Sequence, residues 1–185
     1  MTNIHPLALA GLIVALISAL ITDIRSHKIP NWLTYPTIFL AILLYFDVDG
    51  LRGLLFSVEG LGLGLVLLMP VHMLGVMGAG DVKLMGAVGA ALGPGHLCYA
   101  FLSTAIAGGI YASILVIWQA GSLKDLASGL YSALRTLVLI KEPRFPRADA
   151  RGLGSKLYYG VAICTGTLAY ICFEVYRGNI SAPLF

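Results

Sequence analysis

Two aspartates, Asp23 and Asp81, have the residue type and the surroundings for chemistry. Asp23 lies in Thr22-Asp23-Ile24-Arg25, and Asp81 lies in Gly78-Ala79-Gly80-Asp81-Val82-Lys83. Both acids flank long uncharged stretches of the chain. Two carboxylates that meet in a poorly solvated place tend to share one proton. One can then take a proton from water while the other polarises a carbonyl group, so the pair could hydrolyse an amide bond.

Each aspartate also has an ordinary explanation when it is considered alone. Asp23 could be an interfacial charge that ends an apolar span, and Asp81 could cap the helix that follows the glycines. Gly78 and Gly80 would let an extended substrate backbone approach Asp81, or they could simply break the helix. Lys83 could stabilise an ionised Asp81, or it could serve only to set the membrane orientation, as Arg25 could.

The composition places these residues in a membrane protein. Of the 185 residues 58% are apolar and 11% are charged, which is far from the average of soluble proteins. A crossing needs ~20 apolar residues, and the uncharged stretches leave little for a soluble domain. We predict one membrane domain over residues 1–185. The first apolar stretch is expected to stay attached, because no basic residue precedes it and no small-residue cleavage site follows it before Asp23.

The predicted fold is all-α, with six transmembrane helices and one amphipathic surface helix. The six spans are residues 6–22, 32–46, 61–77, 82–93, 97–118 and 157–173. The fourth is short for a full crossing and ends at Gly93-Pro94-Gly95, which predicts a hairpin. Residues 122–140 carry apolar side chains at helical spacing among charged ones, which is typical of a helix on the membrane surface. A basic loop, residues 141–156, follows it.

The third span contains two further signals. The spacing Gly60-x-x-x-Gly64 favours close packing of helices in a membrane. Pro70 removes a backbone hydrogen bond, so a kink is expected before the glycines that precede Asp81.

The distribution of basic residues predicts the orientation. All of the 12 lysines and arginines except Arg52 and Arg177 lie on the side of the first, third and fifth loops. Cytoplasmic loops collect Lys and Arg, so both termini are expected outside. Asp23 leaves the first span and Asp81 enters the fourth, so both acids are expected at the cytoplasmic face. The net charge of +3 needs no nucleic acid to explain it.

No metal site is indicated. The three cysteines are odd in number and form no C-x-x-C pair, and His72 and His96 have no suitably spaced ligand partners.

The two motifs together resemble the active-site motifs of the prepilin peptidases, which are GxGD-type intramembrane aspartic proteases. The first motif is Asp23-x-Arg25 followed by Ile29-Pro30-Asn31, and the second is Gly78-x-Gly80-Asp81-x-Lys83. The similarity extends to Gly93-Pro94 and to Tyr158-Tyr159-Gly160. The resemblance implies that Asp23 and Asp81 are catalytic and that neither a metal nor an organic cofactor is used. It also implies a prepilin or pseudopilin precursor as the substrate, cleaved at the cytoplasmic face of the cytoplasmic membrane.

The connection between the first two spans distinguishes forms of this family. Longer members insert a cysteine-bearing domain there and also methylate the new N-terminus. Here only residues 24–31 separate Asp23 from Trp32. The chain is therefore similar to the short, peptidase-only form associated with tight-adherence (Flp-type) pili, and archaeal preflagellin peptidases are similar as well.

A different class of function is the alternative. Paired acids at a membrane edge could serve a small ion or proton pathway, or a pilus-assembly scaffold, without catalysing a reaction. A conducting path would favour acids deeper in several spans. Near the third span the only carboxylate is Glu59, at its outer end, which counts against this alternative.

Overall fold

The structure is a computed structural model that describes residues 4–26, 28–73, 77–120 and 159–178. The described part forms five α-helices. They are α1 (Pro6–Ser26), α2 (Asn31–Asp49), α3 (Leu51–Met73), α4 (Ala79–Ala120) and α5 (Tyr159–Tyr176). The chain divides into two compact units, residues 1–108 with 158–185, and residues 109–157. The described part of the second unit is the helical stretch 109–120.

All five helices are long and apolar enough to cross a membrane. The 21 residues of α1 extend about 31 Å, which matches the ~30 Å hydrocarbon core of a bilayer. Large apolar side chains point outward from several helices, among them Val14, Phe39 and Val66. Such surfaces are suited to lipid rather than water, so the helices and their exposed faces indicate a membrane protein.

The fourth and fifth predicted spans both lie within α4. Gly93 interrupts this helix with φ 77° and ψ 171°, a backbone conformation that favours glycine. It divides α4 into a first segment (residues 79–92) and a second segment that begins at Pro94. The sequence predicts a hairpin at Gly93-Pro94-Gly95, and the structure shows a break in the helix at this position. The count of six crossings stays a prediction, because the structure describes five helices.

The predicted bounds of the second and third spans were wrong. Helix α2 continues to Asp49 instead of ending at residue 46, and α3 begins at Leu51 instead of residue 61. Asp47, Arg52 and Glu59 are exposed, so these helices carry charges without burying them. A tight turn at Gly50 (φ 59°) joins the two helices, and its N–H donates to the carbonyl of Phe46 at 2.9 Å. Helix α3 runs on through Pro70 to Met73, and the kink predicted there stays a prediction.

The first segment of α4 packs against α3 at backbone contact. A Cβ placed on Gly60 would collide with the carbonyl oxygen of Gly89, and one placed on Gly64 would lie 2.5 Å from that of Met85. The close packing predicted from Gly60-x-x-x-Gly64 is thereby confirmed. This contact holds the segment that carries Asp81 at its start.

Two side chains satisfy carbonyl groups that the break at Gly93 leaves without a helical donor. The helical partner of the Ala90 carbonyl would be the N–H of residue 94, which proline lacks. Ser57 Oγ donates to that carbonyl at 2.9 Å, and Tyr45 OH donates to the Ala91 carbonyl at 2.8 Å. An unpaired carbonyl in an apolar interior is costly, so α2 and α3 stabilise the break.

The second segment of α4 and α5 lie antiparallel within the first unit. His96 is hydrogen-bonded to Tyr170, and a Cβ on Gly166 would meet the backbone of Thr104. A Cβ on Gly108 would lie 3.5 Å from that of Ala162.

The predicted surface helix (122–140), the basic loop (141–156) and the first two residues of the sixth predicted span lie outside the described residues.

Candidate active site

Asp23 and Asp81 line one cavity of about 240 Å³. Asp23 lies in the last turn of α1 and is 6% exposed, and Asp81 lies in the first turn of α4 and is 9% exposed. The other lining residues are Lys28, Ile29, Gly78, Ala79 and Gly80. The structure therefore brings the two acids together from different helices, at the same end of the helix assembly.

Asp81 is held by its own helix start. Gly78 N–H donates to Asp81 Oδ2 at 3.2 Å, and Asp81 N–H donates to the Gly78 carbonyl at 3.2 Å. Ala79 begins α4, so Asp81 is its third residue and its side chain reaches back to the residue before the helix. This is the carboxylate half of a capping box. Asp81 thus stabilises the helix start and lines the cavity with the same side chain.

Asp23 is held by the first turn of α5. Val161 N–H donates to Asp23 Oδ2 at 3.2 Å, over a sequence separation of 138 residues. The first N–H groups of a helix lack intrahelical acceptors and carry partial positive charge, so they suit a carboxylate. A Cβ on Gly160 would lie 2.6 Å from Oδ2 and 2.9 Å from Cγ of Asp23. Because Gly160 has no side chain, the Asp23 carboxylate can occupy this space.

Lys83 of the second motif contacts Asn31 of the first motif, at the start of α2. Its Nζ donates to Asn31 Oδ1 at 2.9 Å and lies 5.0 Å from the centre of the Tyr35 ring. Lys83 therefore contacts the start of α2, whereas the sequence suggested Asp81 as its partner. Tyr35 lies in the second predicted span, which is not predicted to contribute to the site. Its place under Lys83 depends on how α2 and α4 meet, which no spacing in the sequence shows.

The remaining motif residues have distinct places. Pro30 precedes α2 in an extended conformation (φ −74°, ψ 143°), and Arg25 is exposed in the last turn of α1. A Cβ on Gly80 would lie 3.1 Å from the Cβ and the carbonyl oxygen of Ile29. The close approach that the structure shows at Gly80 is therefore to the α1–α2 connection. A Cβ on Gly78 would meet only the Asp81 carboxylate, at 3.4 Å, and the backbone N of Gly80, at 3.9 Å, so this glycine leaves open space.

The two histidines considered as metal ligands have other contacts. His72 Nδ1 lies 2.9 Å from the carbonyl oxygen of Met77, and His96 Nδ1 lies 2.6 Å from Tyr170 OH. Within the part of the chain that the structure describes, no three His, Cys, Asp or Glu side chains form a cluster that could hold a metal ion.

Comparison with known families decides the relationship. The model of the type IV leader peptidase family matches residues 10–113, more than half of the chain. The chain belongs to the type IV leader peptidase family. Members of this family are peptidases that act on prepilin precursors, so this leader peptidase is a hydrolase. No curated protein and no solved structure gives a match.

The match to the leader peptidases contains both aspartates and ends before α5. The contact of Gly160 and Val161 with Asp23 thus lies outside the matched region. Sequence reasoning noted Gly160 only as part of the family resemblance and missed its contact with Asp23. A glycine at the start of an apolar helix has many uses, and only the docking of α5 on α1 shows this one.

Proposed function

We propose that this leader peptidase is an aspartic endopeptidase in which Asp23 and Asp81 activate the water that cleaves the leader from a prepilin or pseudopilin precursor. One observation carries the proposal. Two buried carboxylates from different helices line one cavity, and each accepts a hydrogen bond from a backbone N–H. A carboxylate pair of this kind supports general acid and general base catalysis together.

The proposed reaction needs one ionised and one protonated carboxyl group. The ionised carboxylate takes a proton from water as the water oxygen attacks the scissile carbonyl carbon. The protonated acid donates its proton to the carbonyl oxygen, which gives a tetrahedral diol. The diol then collapses, the C–N bond breaks, and a proton passes to the leaving amine. The products are a free carboxyl group on the leader and a free amine on the mature protein.

Substrate access follows from the position of the cavity. Its walls include Gly78, which is exposed and has open space on its Cβ side, and the exposed Lys28. An extended segment of the precursor can therefore approach Asp81 along Gly78. The apolar helix of the precursor would lie beside the outward-facing apolar surfaces, while its polar leader stays in water.

The biological setting is part of the same proposal. The distribution of the basic residues supports a position of the two acids at the cytoplasmic face of the cytoplasmic membrane, with both termini outside. The connection from Asp23 to α2 is short, which supports the peptidase-only form associated with Flp-type pili.

Replacement of each acid by its amide tests the mechanism. Asp23→Asn and Asp81→Asn keep the shape of the side chain and remove its ability to accept and return a proton. In a reconstituted assay with a prepilin, we expect each variant to lose roughly 10²- to 10⁴-fold in kcat. The control is Asp49→Asn, because Asp49 is an exposed acid at the far end of α2. Its turnover should equal that of the parent. Near-normal turnover by either active-site variant would disprove the two-carboxylate mechanism.

A further inference from the structure

A second cavity, of about 440 Å³, lies between the second segment of α4 and α5. Its lining includes Glu174 and Arg177 from the end of α5 and its following turn, and His96 from α4. Asp23 contacts the start of α5 at Gly160, and Glu174 follows fourteen residues later. At 1.5 Å per residue, Glu174 lies about 21 Å further along the helix. The cavity is therefore at the opposite end of α5 from the acid pair.

The charges of this cavity are ordered by depth. Glu174 is buried, with 8% of its surface exposed, whereas Arg177 is exposed. The guanidinium carbon of Arg177 lies 5.2 Å from the centre of the Phe173 ring, which holds the cation at the rim. The cavity thus has a carboxyl group inside and a guanidinium group at its opening, one helical turn apart.

Aromatic rings and a tyrosine hydroxyl group line the same cavity as Glu174. Tyr170 OH lies 2.6 Å from His96 Nδ1, and the rings of Tyr170 and Tyr99 are stacked with centres 6.3 Å apart. A carboxylate beside aromatic rings is a favourable environment for an ammonium group, which the carboxylate attracts by charge and the rings by their π-electrons.

The remaining wall of the cavity is mainly apolar, with Ser103 as its polar residue. Leu102 and Ile106 follow the polar residues along α4, and each is 58% exposed. Helix α5 has 18 residues and extends about 27 Å, close to the thickness of a bilayer core. The polar end of the cavity would then lie at the depth of the lipid headgroups, and its apolar wall at the depth of the acyl chains.

We propose that this cavity binds the headgroup of phosphatidylethanolamine from the leaflet opposite the active site. The ammonium group lies toward Glu174, and the phosphate lies at Arg177. The acyl chains follow Leu102 and Ile106. An ethanolamine headgroup carries both charges a short distance apart, in the order that the cavity presents them. Its N–H groups also donate hydrogen bonds to a carboxylate, which the methylated nitrogen of choline lacks.

The proposal is tested on the full chain in nanodiscs. Three lipids with the same acyl chains are the probes: phosphatidylethanolamine, phosphatidylcholine and phosphatidylglycerol. Lipid retention is measured by native mass spectrometry, and the thermal unfolding midpoint is measured in each lipid. We expect phosphatidylethanolamine to be retained about tenfold or more over the other two lipids, since hydrogen bonds to charged groups contribute this much. It should also give the highest unfolding midpoint.

Variants locate the effect. Glu174→Gln should abolish the preference for phosphatidylethanolamine, and Arg177→Gln should weaken retention of this lipid and of phosphatidylcholine. Glu59→Gln, at an exposed acid of α3 outside the cavity, is the matched control and should keep the preference. If Glu174→Gln does not fold, the three-lipid comparison on the parent and on Arg177→Gln still decides. Equal retention of the three lipids by the parent, or an unchanged preference in Glu174→Gln, would overturn the proposal. Neither measurement depends on peptidase activity.

Discussion

The carboxylate of Asp23 is positioned from a helix that starts far away in the chain. Asp81 is held by a glycine three residues before it, whereas the donor to Asp23 is Val161, 138 residues later. The two acids therefore depend on different parts of the fold. Asp81 is placed by local structure at the start of α4. Asp23 is placed only when the start of α5 reaches the end of α1, with glycine at position 160.

Gly160→Ala is the prediction at the scale of the residue. The added Cβ would lie 2.6 Å from Asp23 Oδ2, so the carboxylate must rotate out of its place. Displacement of a catalytic group by about 1 Å can cost ~100-fold in rate, so kcat should fall by about this factor with little change in KM. Single-turnover kinetics on a prepilin measure this split.

The matched control for that experiment is Gly108→Ala. Its Cβ would make an ordinary contact of 3.5 Å with Ala162, on the same pair of helices. The control should keep the parental kcat, and both variants should unfold at the parental temperature. If Gly160→Ala retained full kcat while the parent cleaves normally, the positioning of Asp23 by α5 would be disproved, whereas an inactive parent would count against the proposed function itself.

The first segment of α4 is held in place by neighbouring helices. With 14 residues it extends about 21 Å, short of a ~30 Å hydrocarbon core. It carries Asp81 at one end and a broken helix at the other. Backbone contact with α3 and hydrogen bonds from Tyr45 and Ser57 hold it in place. These contacts with α2 and α3 stabilise a segment that is shorter than the hydrocarbon core.

Gly60→Ala is the prediction for this helix pair. Its Cβ would collide with the carbonyl oxygen of Gly89, so α3 and α4 must separate. Overpacking of this kind typically costs ~1–3 kcal/mol, so the variant should unfold at a lower temperature and lose activity as Asp81 shifts. Gly62→Ala is the control, because nothing lies within 4 Å of its Cβ. Equal stability of the two variants in detergent would show that the α3–α4 contact is not close in the folded protein.

For the whole molecule, orientation in the membrane decides which precursors reach the acids. Ser26 ends α1, three residues after Asp23, whereas Asp49 ends α2, whose 19 residues extend about 28 Å away from the connection to α1. From the distribution of the basic residues we predict that the end with the acids faces the cytoplasm. The proposed cleavage of a leader peptide in the cytoplasm would require this arrangement.

Cysteine labelling tests the orientation. In a cysteine-free background, Ser26→Cys and Asp49→Cys each place one thiol at an exposed position. An impermeant maleimide added to intact cells should label position 49 and leave position 26 unlabelled until the membrane is opened. Labelling of position 26 from outside would reverse the orientation and separate the acid pair from a cytoplasmic leader.

Much of the candidate site could be predicted from local sequence. Asp23 and Asp81 stand out because charged residues are rare in a chain that is 58% apolar. A charged group near a membrane span costs free energy, so such residues are often functional. The break at Gly93 and the close packing at Gly60 and Gly64 were also predictable. Each of these depends on backbone properties of glycine and proline, which act over a few residues.

The contacts between distant segments were decided only by the tertiary structure. The bounds of α2 and α3 were misjudged because charged residues were taken to end a helix, although exposed side chains let a helix continue. Lys83 meets Asn31 and Tyr35, Gly80 meets Ile29, and Gly160 meets Asp23. Helical periodicity shows which face of a helix is apolar, but most faces of these helices are apolar, so it does not show which helices are neighbours. The packing of backbones and the pairing of buried polar groups select those neighbours, and both exist only once the chain is folded.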